Sequence, residues 1–358
     1  MPDTPRVPPL RRPAKTAAPR PKVSLKDIAA AAGVSTMAVS FALRNSDQVS
    51  EATKKKVARI AKKLGYRPDP EIARYMEYLR RGRPSDVFHS TIGFLNFQDN
   101  PGAFHGGGFF TPFLRGVRAR AEDTGYAVEE FWAGDSTIKP GRLKGILQAR
   151  GIDSIIIPPL PGDSVHLALD CSEFFGVTIA FTLEEPRLPR VSHDHAEGVR
   201  LALDEARALG YRRPGFVCTQ RSDARVRHHW TGGFVGRDLH LSPDDQIPPL
   251  VLPALDAPAL DAWLKKHRPD VVLSPHPELH ALLEKRGRRI PRDLGFIILD
   301  HAAGDPSWAG IDQQVTYLGR TAVDVLIAQR NRNEPGEPDH ARTILIGGTW
   351  RPGSTVRK

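Results

Sequence analysis

The sequence predicts two fold classes in one chain. A small all-α head spans residues 23–67, and an α/β core of two doubly wound parallel-sheet subdomains spans 89–358. Two observations carry this. Positive charge is confined to the first quarter of the chain: residues 1–83 hold 19 Lys and Arg against 7 Asp and Glu, while the remaining 275 hold 32 against 34. From Thr91 onward, near-continuous apolar runs alternate with amphipathic segments, the pattern of parallel strands covered on both faces by helices. A basic head on a neutral body is the electrostatic footprint of a polyanion-binding module.

Residues 1–22 read as a disordered arm, with prolines at 2, 5, 8, 9, 13, 19 and 21 and six Lys and Arg. Such a composition has nothing to bury, and proline blocks helix. Three short helices follow. Ser24 with Asp27 three residues on is an N-cap signature before LKDIAAAA, and Gly33 is a C-terminal stop. Ser35 caps TMAVSFAL, and Ser50 caps EATKKKVARIAKKL, which stops at Gly65. In the third helix Val57, Ile60, Ala61 and Leu64 form one apolar stripe among lysines and Arg59. Residues 68–88 read as a further short helix, capped by Asp69 with Pro70 behind it, and a basic linker. A helix this short is marginal alone and needs a partner to order.

The expected strands of the core are IGFLNF (92–97), YAVEEFWA (126–133), SIIIPPL (154–160), VTIAFTL (177–183), GFVCT (215–219), DVVLSP (270–275), GFIILD (295–300) and RTILIGG (342–348). Amphipathic segments at 112–124, 196–209 and 258–266 are expected helices. The first subdomain is assigned to about 89–190 plus 313–341, the second to about 191–312 plus 342–358. A cleft between their strand ends is the expected ligand site.

Several function classes are excluded by what the sequence lacks. No apolar run reaches 18 residues, and the N-terminus has no apolar signal region, so no membrane partner is expected and the compartment is expected to be the cytoplasm. Cys171 and Cys218 cannot make a disulfide framework or a four-thiolate zinc site. The close pairs His193/His195 and His228/His229 lack the spacing of a zinc helix, and no G-x-S-x-G elbow exists. Gly106, Gly107 and Gly108 have no G-K-[S/T] to make a phosphate loop. No metal, cofactor or enzymatic activity is expected.

The first helices fit a helix-turn-helix: alanines where two helices approach, Gly33 at the turn, a buried face of Val34, Val39 and Leu43, and a presented face of Thr36, Met37, Ser40 and Phe41. In this motif the N-terminal part of the second helix enters the major groove. The segments VSLKDIAAAAGVSTMAVS (23–40), VSEATKKKV (49–57) and LGYRP (64–68) together resemble the N-terminal domain of the lactose-repressor (LacI/GalR) family of bacterial transcription regulators. ARALGYRRP (206–214), LGRTAVD (318–324) and WRPGST (350–355) extend the resemblance more loosely along the chain.

The resemblance implies a core similar to periplasmic sugar-binding proteins (type I), a homodimer, double-stranded operator DNA as partner, and a small-molecule effector, a sugar or related metabolite. It implies base reading by Thr36, Met37 and Phe41, and phosphate contact by Ser24, Ser35, Ser40, Arg44, Gln48, Ser50 and Thr53. Phe41 stands where many relatives carry Arg, so it can pack on a thymine methyl but cannot bind guanine bidentately. Residues 70–80 match the family's hinge helix, which wedges an apolar side chain into the minor groove; the wedge falls on Tyr75 or Met76 by register, with Leu79 also in place. For the effector, the match to a ligand-contacting Arg falls on Arg225, Arg227 or His229, and Asp300 ends its strand where relatives have a cleft Asp. His276, in Ser274-Pro275-His276, replaces the Asn-Asp of many relatives, which argues against a standard sugar-hydroxyl clamp. Phe109 and Phe110 are expected as an apolar wall, and Gln313 on a crossover. The competing reading is a cytoplasmic sugar-binding or sugar-processing protein with a basic N-terminal extension.

Overall fold

Serine caps and one glycine set the helices at the N-terminal end. The computed structural model describes residues 24–43, 48–64, 66, 90–134, 140–162, 166–238, 246–303 and 305–358. Arg44, Tyr75, Met76 and Leu79, the arm and the hinge segment lie outside the described residues. The chain divides into two units, Met1–Asp86 and Val87–Lys358.

In the first unit, helix α1 (Leu25–Ala32) opens with a capping box. The Ser24 hydroxyl accepts the backbone N–H of Asp27 at 3.4 Å, and the Asp27 carboxylate accepts that of Ser24 at 2.8 Å. Gly33 at φ +64° ends it in the left-handed conformation, which residues with a Cβ rarely adopt. Helix α2 (Thr36–Leu43) then runs at 102° to α1, within the range of a helix-turn-helix. Helix α3 (Glu51–Leu64) closes the unit over Ile28, Ala29, Ala32, Val39, Ala42, Val57 and Ala61. The buried face of α2 differs from expectation in one respect. Val39 is buried, but Val34 and Leu43 are half-buried and Ala42 takes the central place. A methyl side chain is what lets α2 approach its neighbours closely there.

The second unit holds two six-stranded sheets. The first contains β1 (Ser90–Asn96), β2 (Tyr126–Trp132), β3 (Ser154–Ile157), β4 (Phe175–Ile179) and β5 (Arg190–His193). The second contains β6 (Pro214–Thr219), β7 (Leu250–Leu252), β8 (Val271–Ser274), β9 (Gly295–Ile298) and β10 (Gly310–Asp312). Then β11 (Thr343–Ile346) returns to the first sheet and β12 (Thr349–Arg351) to the second. The orders are β11-β5-β4-β3-β1-β2 and β12-β10-β9-β8-β6-β7, parallel throughout except where β12 runs antiparallel to β10. In chain order the helices are α4 (Phe110–Asp123), α5 (Pro140–Ala149), α6 (His195–Ala208), α7 (Gln220–Arg225), α8 (His229–Asp238), α9 (Ala257–His267), α10 (Glu278–Lys285) and α11 (Val315–Arg332).

Both sheets are doubly wound. Helices α4 and α11 cover one face of the first sheet through Phe113, Val117, Leu318 and Val323, and α5 covers the other through Leu143 and Leu147. The second sheet is covered by α6 and α8 on one face and by α9 and α10 on the other. Two adjustments to the expected subdomains follow from strand pairing. Arg190, Val191, Ser192 and His193 form β5 in the first sheet, and the 343–346 run pairs with them instead of joining the second subdomain. The crossovers therefore lie after His193, after Asp312 and after Ile346, giving three connections between the lobes.

Candidate nucleic-acid interface and effector cleft

On the first unit the caps that start the helices also fix what α2 presents. The Ser35 hydroxyl accepts the N–H of Ala38 at 3.1 Å, and the Ser50 hydroxyl accepts that of Thr53 at 3.3 Å. Thr36 is exposed and Met37 is 66% exposed, while Ser40 and Phe41 are half-buried further along the same helix. Ser24, Ser35, Gln48 and Ser50 are exposed and Thr53 is half-buried. Lys55, Lys56, Arg59, Lys62 and Lys63 are exposed along α3, and Lys54 is tied to Glu51 at 2.6 Å.

In the second unit the strand ends of the two lobes meet around Phe181. After β4 the chain turns at Ala180 (φ +58°) and inserts Phe181 between the lobes, where it is 6% exposed. The His229 ring, at the start of α8 in the other lobe, sits edge-on at 4.7 Å from it, and the His195 ring is 6.4 Å away. His195 in turn meets His193 and Trp230, each at 5.0 Å. The Nδ1 atoms of His195 and His229 are buried with no hydrogen-bond partner among the described residues. Burial pushes the His193 imidazolium down to about 4, its Nδ1–H donating to the carbonyl of Ile346 at 3.0 Å. His195 lies well below the usual histidine range, from burial first and then from the two neighbouring imidazoles. Neutral rings are the result at pH 7.

Two guanidiniums flank the Phe181 ring. Arg190 lies 5.5 Å from its centroid and Arg227 lies 5.7 Å. Arg190 is 8% exposed and donates to the carbonyls of Ala180 and Leu183; burial lowers it to about 10, helped by the charge of Arg227. Arg227 reaches across to Glu184 at 3.4 Å. Arg225 also crosses the lobes, donating to the carbonyl of Gly162 and, at 3.0 Å, to that of Leu160. The turn that carries these residues is held by Asp223, a carboxylate 2% exposed. It accepts from the Thr231 N–H at 3.1 Å, the Thr231 hydroxyl at 2.7 Å and His228 Nδ1 at 2.8 Å. Arg227 and His228 both sit at positive φ, +53° and +60°. A buried anchor of this kind is what keeps two such residues in place.

The candidate residues thus separate. Arg225, Arg227 and His229 stand together at the lobe boundary. His276 Nε2 accepts the N–H of Thr219 at 3.1 Å, which leaves the proton of its neutral ring on Nδ1, and burial lowers its basicity. Asp300 is half-buried just beyond β9. Gln313 is 4% exposed and donates to the Leu299 carbonyl at 3.0 Å, fixing a crossover. Phe109 and Phe110 pack with Phe104 and Phe113 on the first-lobe core, so their rings are half-spent as structure. Sequence reasoning missed Phe181, Glu184, Arg190 and Trp230. It saw His193 and His195 only as a close pair without metal spacing, and among the described residues no group of His, Cys, Asp and Glu is arranged to hold a metal. No single described helix is long and apolar enough to cross a membrane.

Comparison with known proteins places this geometry. The family model "Bacterial regulatory proteins, lacI family" matches residues 24–69. The chain is 26% identical over 195 residues to the HTH-type transcriptional regulator MalR of Streptococcus pneumoniae, a match spanning 54% of this chain and 56% of MalR. It is thus aligned with little more than half the length of that relative. With the HTH-type transcriptional regulator PtxS of Pseudomonas putida it is 27% identical over 355 residues, 93% of this chain and 97% of PtxS. Among solved structures, the lac repressor dimer bound to operator and the anti-inducer ONPF superposes with a TM-score of 0.52 at 18% identity. That match covers 94% of this chain and all of the other, and it is a likeness of fold.

Proposed function

This chain belongs to the lacI family of bacterial regulatory proteins, and from that premise we propose that it is a homodimeric, sequence-specific DNA-binding regulator of transcription, acting as a repressor. A small molecule bound between the two lobes of its core, a sugar or related metabolite, sets its hold on operator DNA. The observation that carries this reading is the presented face of α2: Thr36 and Met37 stand exposed at the first turn of the second helix, across a 102° bend from the first. That is the part of a helix-turn-helix that reaches base edges. Thr36, Met37 and Phe41 read bases, mostly by apolar contact, and Ser24, Ser35, Ser40, Arg44, Gln48, Ser50 and Thr53 hold phosphates. Tyr75 or Met76 wedges the minor groove. The cluster of Arg225, Arg227 and His229 at the lobe boundary supports a ligand site there, with His276, Asp300 and Gln313 at neighbouring strand ends.

A dimer with one head per protomer binds two half-sites of a near-palindromic operator. Closure of the lobes on effector changes the spacing of the heads, coupling two distinct sites. The test is a mobility-shift titration with an operator selected from a random library. Specific binding is expected to fall linearly in log–log salt plots and to vanish when residues 1–83 are deleted. Specific binding that survives the deletion, or turnover of a sugar by a chain that ignores DNA, overturns the assignment.

A further inference from the structure

Around the Phe181 ring, among the described residues, two guanidiniums lie near one ion-pairing carboxylate. Arg190 and Arg227 both face Phe181, yet Arg190 spends its hydrogen bonds on the neutral carbonyls of Ala180 and Leu183. Carbonyl oxygens satisfy a guanidinium's donors without neutralising it. Among the described residues, Arg227's ion-pair partner is Glu184, at the long distance of 3.4 Å, and Glu184 is also the one carboxylate whose charge bears on Arg190. Arg190, which is buried, and Arg227, which is exposed, share that one half-exposed anion. Buried charges in proteins are ordinarily paired, because an unpaired ion in a low-dielectric site is costly. Near the same aromatic ring, the Nδ1 atoms of His195 and His229 are buried with no hydrogen-bond partner among the described residues, and His195 is itself 7% exposed. Two guanidiniums on one ion-pairing carboxylate, with two unpartnered imidazole nitrogens around an aromatic ring, describe the ligand that would suit them.

We propose that the effector of this core is an anion, a carboxylate-bearing sugar acid or hydroxy acid. Its charge seats between Arg190 and Arg227 in the place Glu184 now holds, and its hydroxyls meet Nδ1 of His195 and His229. The inference rests on the regulator reading above and narrows it from sugars in general to acids. The carboxylate exchanges a long, solvent-facing pair for a closer one, since Glu184 is half-exposed while Arg190 is buried. A hydroxyl suits either imidazole because it both donates and accepts, whichever tautomer each ring adopts. Arg227 comes from the second lobe and Arg190 from the first, so an anion between them holds the two lobes together.

The experiment uses the full chain, an operator fragment selected from a random library, and isothermal titration with two acids, D-gluconate and D-glucuronate, beside their neutral counterparts D-glucose and D-glucitol. At least one acid is expected to bind and to change operator affinity at concentrations where both neutral sugars do nothing. Glu184→Gln is expected to tighten acid binding about tenfold, and Arg227→Ala to weaken it about tenfold, the scale of one close charge pair. The opposite signs separate ligand contact from a structural role, because loss of a structural pair moves both variants the same way. Neutral sugars binding as well as the acids, neither acid binding, or an unchanged affinity in Glu184→Gln each overturns the inference. A chain that binds its operator and ignores acids leaves the regulator reading standing; a chain that binds no DNA removes that reading instead.

Discussion

Histidine burial makes the lobe boundary sensitive to acid, and the sign follows from two rings. His193 is held down to about 4 from an ordinary value of 6.5, chiefly by burial, and His195 is lowered in the same direction. Both are neutral in the folded chain at pH 7. Once the pH drops below 6.5 the unfolded chain takes up these protons and the folded chain does not. Stability is therefore complete above pH 6.5 and is lost as the pH falls toward 4, by on the order of 3 kcal/mol for His193 alone. Urea midpoints measured between pH 7.5 and 4.5 should fall more steeply for the natural chain than for His193→Gln, whose amide can still donate to Ile346 but does not titrate. Parallel pH profiles for the two would show that acid sensitivity comes from elsewhere.

At the scale of elements, the longest helix contact depends on two glycines. A Cβ built on Gly116 of α4 would lie 2.0 Å from the Thr316 carbonyl oxygen, and one on Gly319 of α11 would lie 2.3 Å from that of Phe113. The two helix backbones touch, and no rotamer change relieves a clash with backbone. Gly116→Ala is expected to destabilise the core by about 3 kcal/mol, the upper end for overpacking, despite alanine's better helix propensity. Thermal unfolding with a Tm equal to that of the natural chain would mean that the helices slide apart without cost. This contact was not legible in the sequence, where Gly116 and Gly319 are simply glycines inside two amphipathic patterns. What was legible had local causes: the Ser24–Asp27 box, the Gly33 stop, and apolar runs long enough to show their period. Strands β5, β7, β10 and β12 escaped notice because three or four residues carry no periodicity, and RVSH, GID and TWR are polar. They exist because of their partners. The site divides in the same way. Arg225, Arg227 and His229 follow a readable strand and were found together, whereas Phe181, Glu184 and Arg190 reach the boundary through the β4–β5 connection, whose path only the fold determines.

For the core as a whole, three crossovers leave the lobes able to move, and the contacts between them decide how far. Phe181 against His229, Arg227 to Glu184, and Arg225 to the carbonyls of Leu160 and Gly162 span the boundary. Of these, Arg225 makes the strongest tie, since a hydrogen bond from a charged donor contributes roughly 1.5–3 kcal/mol. Both of these bonds end on backbone carbonyls of the opposite lobe. Losing such a bond shifts an open–closed equilibrium by about tenfold or more. Arg225→Ala is therefore expected to raise the radius of gyration measured by small-angle scattering and to weaken effector binding, because the ligand must then supply more of the closing free energy. The circular dichroism of the chain should not change, since each lobe keeps its own core. If Arg225 were an effector contact with no part in closure, the scattering curve of the ligand-free chain would be identical in the variant. That comparison assigns the residue to the latch or to the ligand, because only a latch acts before anything is bound.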